Sequence, residues 1–175
     1  MRVLFLDVDG VLNSKRWLEK RPSKEAFAAE WNISPEVFAH DRDTWKLRSI
    51  DPEAVMALNA IVEDSKACVV VSSTWRTDNA LPRLEMMLRR RGFKHHLLGA
   101  TPISYTLDIA ENRRVERGEE IFAWMKLAGV SDVRDVVIID DDSDMAHLRS
   151  RLFQTEYEHG LCAHHVDDVV RMFGS

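Results

Sequence analysis

Three short, continuously apolar runs constrain the fold of this sequence most, because each is followed by polar residues that can carry chemistry. The runs and the residues that follow them are residues 3–6 with Asp7, residues 69–71 with Ser72, and residues 136–139 with Asp140. Runs that are apolar on both faces are typical of central strands in a parallel sheet covered by helices on each side. Ligands bind at the carboxyl ends of strands in such sheets. We therefore expect the three polar ends to meet at one edge of a sheet.

The stretches between these runs carry helix signals. Asp51-Pro52-Glu53 combines an N-cap residue, a proline at the first helical position and an early acid. Helix patterns and stop residues predict further helices over 79–91, 117–129 and 166–172, and a short strand is predicted at 97–98. This alternation predicts an α/β protein, a three-layer α/β/α sandwich with a mostly parallel, Rossmann-like sheet. At 175 residues the length suits a single domain, residues 1–175.

Residues 14–50 do not fit the alternation. The segment is charged, yet it contains five aromatic residues: Trp17, Phe27, Trp31, Phe38 and Trp45. A structureless loop of about 35 residues is uncommon in a compact domain. We predict a small, partly helical, cap-like insertion folded over the strand ends. Its aromatic residues would form a satellite core, and the alternative is that one or two of them face a substrate.

Composition and charge exclude several classes of protein. The 29 acids and 24 bases give a formal charge of −5, which argues against non-specific coating of nucleic acid but not against a local basic groove. Two cysteines far apart in the sequence, Cys68 and Cys162, are predicted to be reduced. No apolar run approaches the roughly 18 to 20 residues of a membrane span, and the first residues lack a signal-peptide cleavage pattern. We therefore expect a cytoplasmic protein without membrane contact.

Two acidic groups point to a metal ion. Asp7 and Asp9 follow the first predicted strand, and residues two apart on an extended chain point the same way. Two such carboxylates repel each other and need a cation or a shared proton. The third strand is followed by four acids within five residues: Asp140, Asp141, Asp142 and Asp144. Hard oxygen ligands of this kind suit Mg²⁺, with a solvated acidic loop as the alternative.

The middle strand and one helix supply groups that could bind a phosphate. Ser72, Ser73 and Thr74 place hydroxyls at a predicted strand-to-helix turn, a setting that can cradle phosphate. Arg117 lies where a helix should begin, a position that the helix dipole disfavours for a cation. This indicates an outside partner, either carboxylates or a phosphate. Trp75-Arg76 could stack on a base or sugar, with packing as the alternative.

Four segments, in order along the chain, resemble the motifs of the haloacid dehalogenase superfamily of phosphohydrolases. The segment Asp7-Val8-Asp9-Gly10-Val11-Leu12-Asn13 resembles the first motif, Val71-Ser72 the second and Ile139-Asp140-Asp141 the fourth. The third is a basic residue, commonly Lys, at the start of a helix, and Arg117 matches it best, with Arg113 and Arg114 as alternatives. Further segments resemble the branch of the superfamily found in RNA-repair proteins: Ser72-Ser73-Thr74-Trp75-Arg76, Thr101-Pro102 and Gly160-Leu161. The resemblance covers nearly the whole chain except residues 14–50.

The resemblance implies a mechanism and assigns roles to residues. Asp7 would attack phosphorus to form an aspartyl-phosphate, and Asp9 would act as acid and then base. Ser72 would bind a phosphoryl oxygen and Arg117 would balance charge. The Mg²⁺ ligands would be the Asp7 carboxylate, the Asp9 backbone carbonyl and Asp140 or Asp141, and a share for Asp142 or Asp144 stays open. The residues expected to contact substrate are Gly10, Ser73, Thr74, Trp75 and Arg76.

The implied activity is Mg²⁺-dependent hydrolysis of a phosphomonoester, either a small molecule such as a nucleotide or a nucleic-acid end. No stable protein partner is inferred. One alternative is a receiver-like phosphoacceptor switch, but such a domain carries its phosphorylated Asp after a middle strand, where this chain has Ser72. The other is a phosphate-binding module without turnover, which the presence of Asp9 disfavours.

Overall fold

A five-stranded parallel sheet forms the centre of the computed structural model, which describes residues 1–34, 41–78, 80–103 and 115–174. The strand order is β3-β2-β1-β4-β5, and every pairing is parallel. The strands are β1 (Val3–Leu6), β2 (Cys68–Val71), β3 (Leu97–Ala100), β4 (Val136–Asp140) and β5 (Leu152–Gln154).

Helices occupy most of the remaining described chain. They are α1 (Lys15–Lys20), α2 (Lys24–Glu30), α3 (Arg42–Ser49), α4 (Pro52–Ser65), α5 (Trp75–Asp78), α6 (Leu81–Arg90), α7 (Arg117–Ala128) and α8 (Val166–Met172). Short 3₁₀ helices cover Val133–Asp135, Ala146–Arg151 and Ala163–His165. The predicted helix over 79–91 is shorter than expected, although residue 79 lies outside the described residues. The predicted strand at 97–98 extends to Ala100, and β5 was not predicted.

The sheet is buried on both faces, which explains its uninterrupted apolar strands. Leu4 and Leu6 of β1 belong to a core with α4, α6 and α8, whereas Val3 and Phe5 belong to a second core. That second core is closed by α7 and by the 3₁₀ helix Ala146–Arg151. Helices therefore cover both sides of the sheet, and the predicted three-layer α/β/α fold is confirmed.

The register of the sheet decides which side chains meet at its edge. Leu6 of β1 pairs with Val71 of β2 and with Ile139 of β4. The pairing continues one residue further, because the Asp7 backbone N–H donates to the Ile139 carbonyl over 3.0 Å, and the Ser72 N–H donates to the Leu6 carbonyl over 2.9 Å. Side chains alternate between faces along a strand. The residues at this step, Asp7, Ser72 and Asp140, therefore project to the face that α7 covers.

The described part of segment 14–50 contains α1, α2 and α3, and it is anchored to the main body. Phe27 and Leu47 are buried in the larger core, while the Trp17 indole N–H donates to the Arg48 carbonyl over 3.3 Å. Trp45 is exposed, and Phe38 lies outside the described residues. The role of this segment as a cap stays a prediction.

Within the described residues, no helix combines the length and the hydrophobicity that crossing a membrane would require.

Candidate active site

Arg117 is paired with the carboxylates at the sheet edge. It is the first residue of α7, and its Nη1 donates to Asp7 Oδ1 over 2.8 Å and also to the Ser72 carbonyl. Its Nε lies 3.6 Å from Asp140 Oδ2. All three partners follow or end central strands on the face that α7 covers, so the sheet register and the start of one helix create this arrangement.

The start of α7 is held in place by the loop that follows β4. The Gly118 N–H donates to the Asp144 carbonyl over 3.1 Å, and the Arg117 N–H lies 3.3 Å from Asp144 Oδ2. A Cβ on Gly118 would lie only 2.0 Å from the Met145 carbonyl oxygen, so this close approach requires glycine. The two acids of a capping box, Glu116 and Glu119, close the helix end. The dipole penalty expected for Arg117 is thus offset by surrounding acids.

Burial and mutual repulsion raise the pKa values of the clustered acids. Burial, with a further contribution from the charge of Asp140, raises the pKa of Asp7 to about 7, against the lowering effect of Arg117. Burial also raises the pKa of Asp140 to about 6, although Arg117 again opposes the shift. The pKa of Asp141 is raised, mainly by burial. Three acids around one arginine leave the ionised cluster negative, so a bound cation would stabilise it.

The residues present fit a magnesium ion. Asp7, Asp140 and Asp141 each offer an oxygen, and these oxygens lie within 4.8 Å of one another. Asp140 Oδ2 is buried and accepts no hydrogen bond from any described residue. Mg²⁺ prefers oxygen ligands, and carboxylate oxygens that accept no hydrogen bond are free to coordinate it. The carboxylates of Asp9 and Asp142 are not members of this group, and the predicted ligation by the Asp9 backbone carbonyl stays a prediction.

Gly10 gives room to one of these acids. Its φ is +69°, and a Cβ at this position would lie 2.2 Å from Asp141 Cγ. Any other residue would therefore displace the Asp141 carboxylate and strain the backbone. The structure thus gives Gly10 a steric role toward the acidic cluster, and its predicted contact with substrate stays a prediction.

The three hydroxyl residues after β2 differ in their surroundings. Ser72 is fully buried, and its Oγ has no hydrogen-bond partner among the described residues. Ser73 is also fully buried, and its Oγ accepts from the Trp75 N–H over 3.3 Å. Thr74 is exposed. Ser72 is therefore the one of the three that combines an unused hydroxyl with a position beside Asp7.

Asp9 has a different environment from Asp7 although only Val8 separates them. The residue is exposed, yet both of its carboxylate oxygens lie 3.0 Å from the Trp75 indole nitrogen. Asn13 Nδ2 donates to Asp9 Oδ1 over 2.7 Å. The carboxylate is therefore oriented by two neutral donors beside the acidic cluster.

Trp75 and Arg76 are both largely buried, which favours packing, the alternative to stacking on a base or sugar. Trp75 is 5% exposed and donates to Asp9. The Arg76 side chain is 6% exposed, and it pairs with Glu120 of α7. Its other donors bind four carbonyls, those of Ser72, Ser73, Thr101 and Pro102. Arg76 is thus a buried cross-link between the ends of β2 and β3 and α7, and the structure gives it no free face for stacking.

Two supporting residues were not singled out from the sequence because they lie in or beside β5. The Gln154 side-chain amide donates to the Asp141 carbonyl over 2.9 Å, and Thr155 Oγ1 donates to the Gly10 carbonyl over 3.0 Å. The only sequence signal for β5 was the short apolar pair Leu152-Phe153. Arg113 and Arg114, the alternative third-motif residues, lie outside the described residues.

A cluster of bases lies in and just after α6, and it could be either structural or a landing site for a polyanion: Arg83, Arg89, Arg90, Arg91 and Lys94. Arg89 pairs with Glu85, and Lys94 pairs with Glu63. Arg91 Nε donates to the Ile50 carbonyl over 2.9 Å. These contacts favour the structural interpretation of the cluster over a landing site for a polyanion.

Comparisons with known proteins were made for sequence and for fold. A family described as the HAD domain in Swiss Army Knife RNA repair proteins matches residues 3–166. No curated protein sequence matches the chain. Two solved structures are similar to it. The first is a predicted phosphatase from Clostridium acetobutylicum, which is 17% identical to this chain. The match covers 95% of this chain and 89% of that one, with a TM-score of 0.43. The second is a haloacid dehalogenase-like hydrolase from Streptococcus pneumoniae, 12% identical, with 98% and 90% covered and a TM-score of 0.45.

The family match spans nearly the whole chain and includes the ends of β1, β2 and β4 and the start of α7. These are the segments that build the acidic cluster and its arginine. The chain therefore belongs to the family of HAD domains found in Swiss Army Knife RNA repair proteins, within the haloacid dehalogenase superfamily.

Proposed function

We propose that this protein is a Mg²⁺-dependent phosphomonoester hydrolase that works through an aspartyl-phosphate on Asp7. The observation that carries the proposal is the buried carboxylate of Asp7, which is paired with Arg117 at 2.8 Å and grouped with Asp140 and Asp141. Next to it, the Ser72 hydroxyl is buried without a described hydrogen-bond partner. A nucleophile, a cation, a metal-binding set and an oxygen-binding hydroxyl thus adjoin one another at the ligand-binding edge of the sheet.

The proposed first step is attack of an Asp7 oxygen on phosphorus. The new O–P bond forms as the P–O bond to the leaving group breaks, and Asp9 gives its proton to the leaving oxygen. A carboxylate and a phosphate dianion repel each other, so this step needs positive charge. Arg117 supplies part of it, and the Ser72 hydroxyl can donate to a phosphoryl oxygen.

The second step returns the protein to its starting state. Asp9 takes a proton from water while the water oxygen bonds to phosphorus and the Asp7–phosphorus bond breaks. Inorganic phosphate leaves, and both carboxyl groups are restored. The residues that would hold Mg²⁺ are Asp7, Asp140 and Asp141, where the ion would offset negative charge between the carboxylates and the phosphoryl group.

We propose nucleotides or phosphorylated nucleic-acid ends as the substrate class. The description of the family, which names RNA repair proteins, supports this choice. A panel of nucleotides, sugar phosphates and oligonucleotides phosphorylated at the 3′ or the 5′ end tests it by the release of phosphate. A clear preference for one nucleotide or nucleic-acid member is expected, and similar weak rates on every member would contradict this substrate class.

The activity itself is tested by phosphate release with Mg²⁺ and with a chelator. We expect steady turnover only with Mg²⁺ and a loss of at least about 10⁴-fold in Asp7→Asn. Asp64→Asn, which changes an exposed acid at the end of α4, is the matched control and should behave as the wild type. Retained Mg²⁺-dependent hydrolysis in Asp7→Asn would exclude Asp7 as the nucleophile. Labelling of Asp7 without steady release of phosphate would favour the receiver-like switch.

A further inference from the structure

Asp9 is held by two neutral donors that come from different parts of the chain. The Trp75 indole nitrogen lies 3.0 Å from both carboxylate oxygens, and Asn13 Nδ2 lies 2.7 Å from Oδ1. The Asn13 amide is itself oriented, because its Oδ1 accepts from the Gly10 N–H over 2.9 Å. Its amino group must therefore face Asp9. The two groups that face the carboxylate, the indole N–H and the amide NH₂, are donors only, so neither can accept a proton from it.

Trp75 is in turn fixed from two sides. Its backbone N–H lies 3.3 Å from Ser73 Oγ at the start of α5, and its side chain is 5% exposed. On the ring, Lys46 Nζ lies 5.0 Å from the centroid. An ammonium at this distance is attracted to the face of an indole. Lys46 is itself 4% exposed, so this contact is shielded from water.

Lys46 connects segment 14–50, through Trp75, to the carboxylate of Asp9. Lys46 belongs to α3, which lies within that segment, whereas Trp75 begins α5 after the central strand β2. The contacts therefore run from the insertion through Lys46 and the Trp75 ring to the Asp9 carboxylate. Neither Asp140 nor Arg117 takes part in these contacts, while Ser73, which accepts from the Trp75 N–H, also hydrogen-bonds the Asp7 carboxylate.

We propose that Trp75 is a positioning residue that aims the Asp9 carboxylate at the leaving group, and that Lys46 makes the insertion part of this device. This inference rests on the proposed function, because it assigns Asp9 to the leaving-group side of the reaction. An acid that is held in place transfers its proton efficiently only to an oxygen within hydrogen-bond reach. The contribution of Trp75 therefore grows with the need of the leaving group for a proton.

The test compares two substrates in Trp75→Phe, which keeps a ring and removes the N–H. The quantity compared is kcat/KM, which reports the steps up to departure of the leaving group and not the later hydrolysis of the aspartyl-phosphate. An aryl phosphate with an acidic phenol needs little protonation, and we expect its kcat/KM to fall by less than about 3-fold. An alkyl phosphate needs a full proton, and we expect a loss of about 30-fold or more. Lys46→Met should lose about 3- to 10-fold on the alkyl substrate and little on the aryl one.

Trp17→Phe is the matched control. Trp17 also donates through its indole N–H, to the Arg48 carbonyl over 3.3 Å, and a cation also lies over its ring, Arg91 at 5.5 Å. Trp17→Phe should not reduce hydrolysis of the alkyl phosphate more than hydrolysis of the aryl phosphate. Equal losses on both substrates in Trp75→Phe, or no loss on either, would overturn the positioning role while leaving the hydrolase intact. A lack of hydrolysis by the wild type would overturn both proposals.

A spectroscopic measurement keeps the contact testable even if Trp75→Phe folds poorly. The chain has five tryptophans, so five indole N–H resonances are expected in a ¹⁵N spectrum. The Trp75 resonance should lie downfield because its N–H bonds a carboxylate, and it should move upfield in Asp9→Asn. A Trp75 resonance that does not move in Asp9→Asn contradicts the contact and with it the positioning role.

Discussion

Asp7 and Asp9 are separated by one residue, but the regions around them are opposites. Asp7 is buried among charges, with Arg117, Asp140 and Asp141 around it. Asp9 is exposed, and its described hydrogen-bond donors are the neutral groups of Trp75 and Asn13. A charged surrounding suits a group that must meet an anionic phosphoryl group, whereas neutral donors orient a carboxyl without placing a further charge beside it. In the proposed reaction, the charged region around Asp7 would hold the phosphoryl group and the neutral region around Asp9 would face the leaving group.

The largest effect is expected from removing the cation of the charged region. Arg117→Met leaves Asp7 and Asp140 without their counter-charge, and we expect a loss of about 10³-fold in kcat/KM, the same for aryl and alkyl phosphates. Unpaired buried charges should also lower the free energy of unfolding by about 3–5 kcal/mol, which urea unfolding measures. Arg76→Met is the matched control, because the Arg76 side chain is also largely buried, 6% exposed against 14% for Arg117, but binds mainly carbonyls. Equal losses of activity in the two variants would contradict the special role of Arg117.

The second prediction concerns Gly118, which lets the start of α7 lie close to the loop after β4 and so places Arg117 beside Asp7 and Asp140. Gly118→Ala places a Cβ where only 2.0 Å separates it from the Met145 carbonyl oxygen, so the start of α7 must move away. We expect kcat/KM to fall by about 10- to 100-fold on all substrates, because Arg117 moves with the helix. Gly99→Ala has its nearest contact at 3.4 Å and should be nearly neutral. Unchanged activity in Gly118→Ala would show that the tight contact is not needed.

The third prediction is that the charged region makes the metal-free protein less stable as pH rises. In the folded protein the pKa of Asp7 is raised to about 7 and that of Asp140 to about 6, from 3.8. Folding therefore favours the protonated acids, whose contribution is complete below pH 3.8 and is lost as pH rises toward 7. Urea unfolding in a chelator at pH 5 and pH 7.5 should differ by about 1–3 kcal/mol from this source. Asp140→Asn should shrink the difference, and an unchanged difference would contradict the account.

The smallest effect is expected among the neutral donors around Asp9. Asn13→Ala removes one of the two described donors to Asp9 and leaves Trp75 in place. We expect kcat/KM to fall by about 3- to 10-fold on alkyl phosphates and to change little on aryl phosphates. A loss of equal size on both substrates would indicate that Asn13 acts on the phosphoryl side instead.

Local patterns in the sequence predict the strands and the acids of the charged region. The runs that form β1, β2 and β4 are apolar on both faces because helices cover both faces, so pattern and burial agree. Arg117 could be singled out because a cation at the start of a helix indicates a compensating acid nearby. The edge strand β5 has three residues, none of them buried, so its sequence carries no such pattern.

The neutral region could not be predicted in the same way. The contact between Trp75 and Asp9 joins residues 66 apart in the sequence, and no spacing rule connects an indole to a carboxylate. Arg76 was expected to face substrate because arginines beside phosphate sites often do. Its burial against carbonyls depends on how the ends of β2 and β3 and the helix α7 come together, which is a property of the tertiary structure. The steric role of Gly10 toward Asp141 depends in the same way on the tertiary structure, and its predicted contact with substrate stays a prediction.

The most direct test of the separation between the two regions is to trap the covalent intermediate in Asp9→Asn. This variant keeps the charged region and removes the acid and base, so we predict that an aryl phosphate still transfers its phosphoryl group to Asp7 and that hydrolysis then stalls. Mass spectrometry of the acid-quenched, protease-digested protein should place one phosphoryl group on Asp7. Phosphate on Ser72 or Asp141, or normal steady turnover without any phosphorylated peptide, would contradict the account.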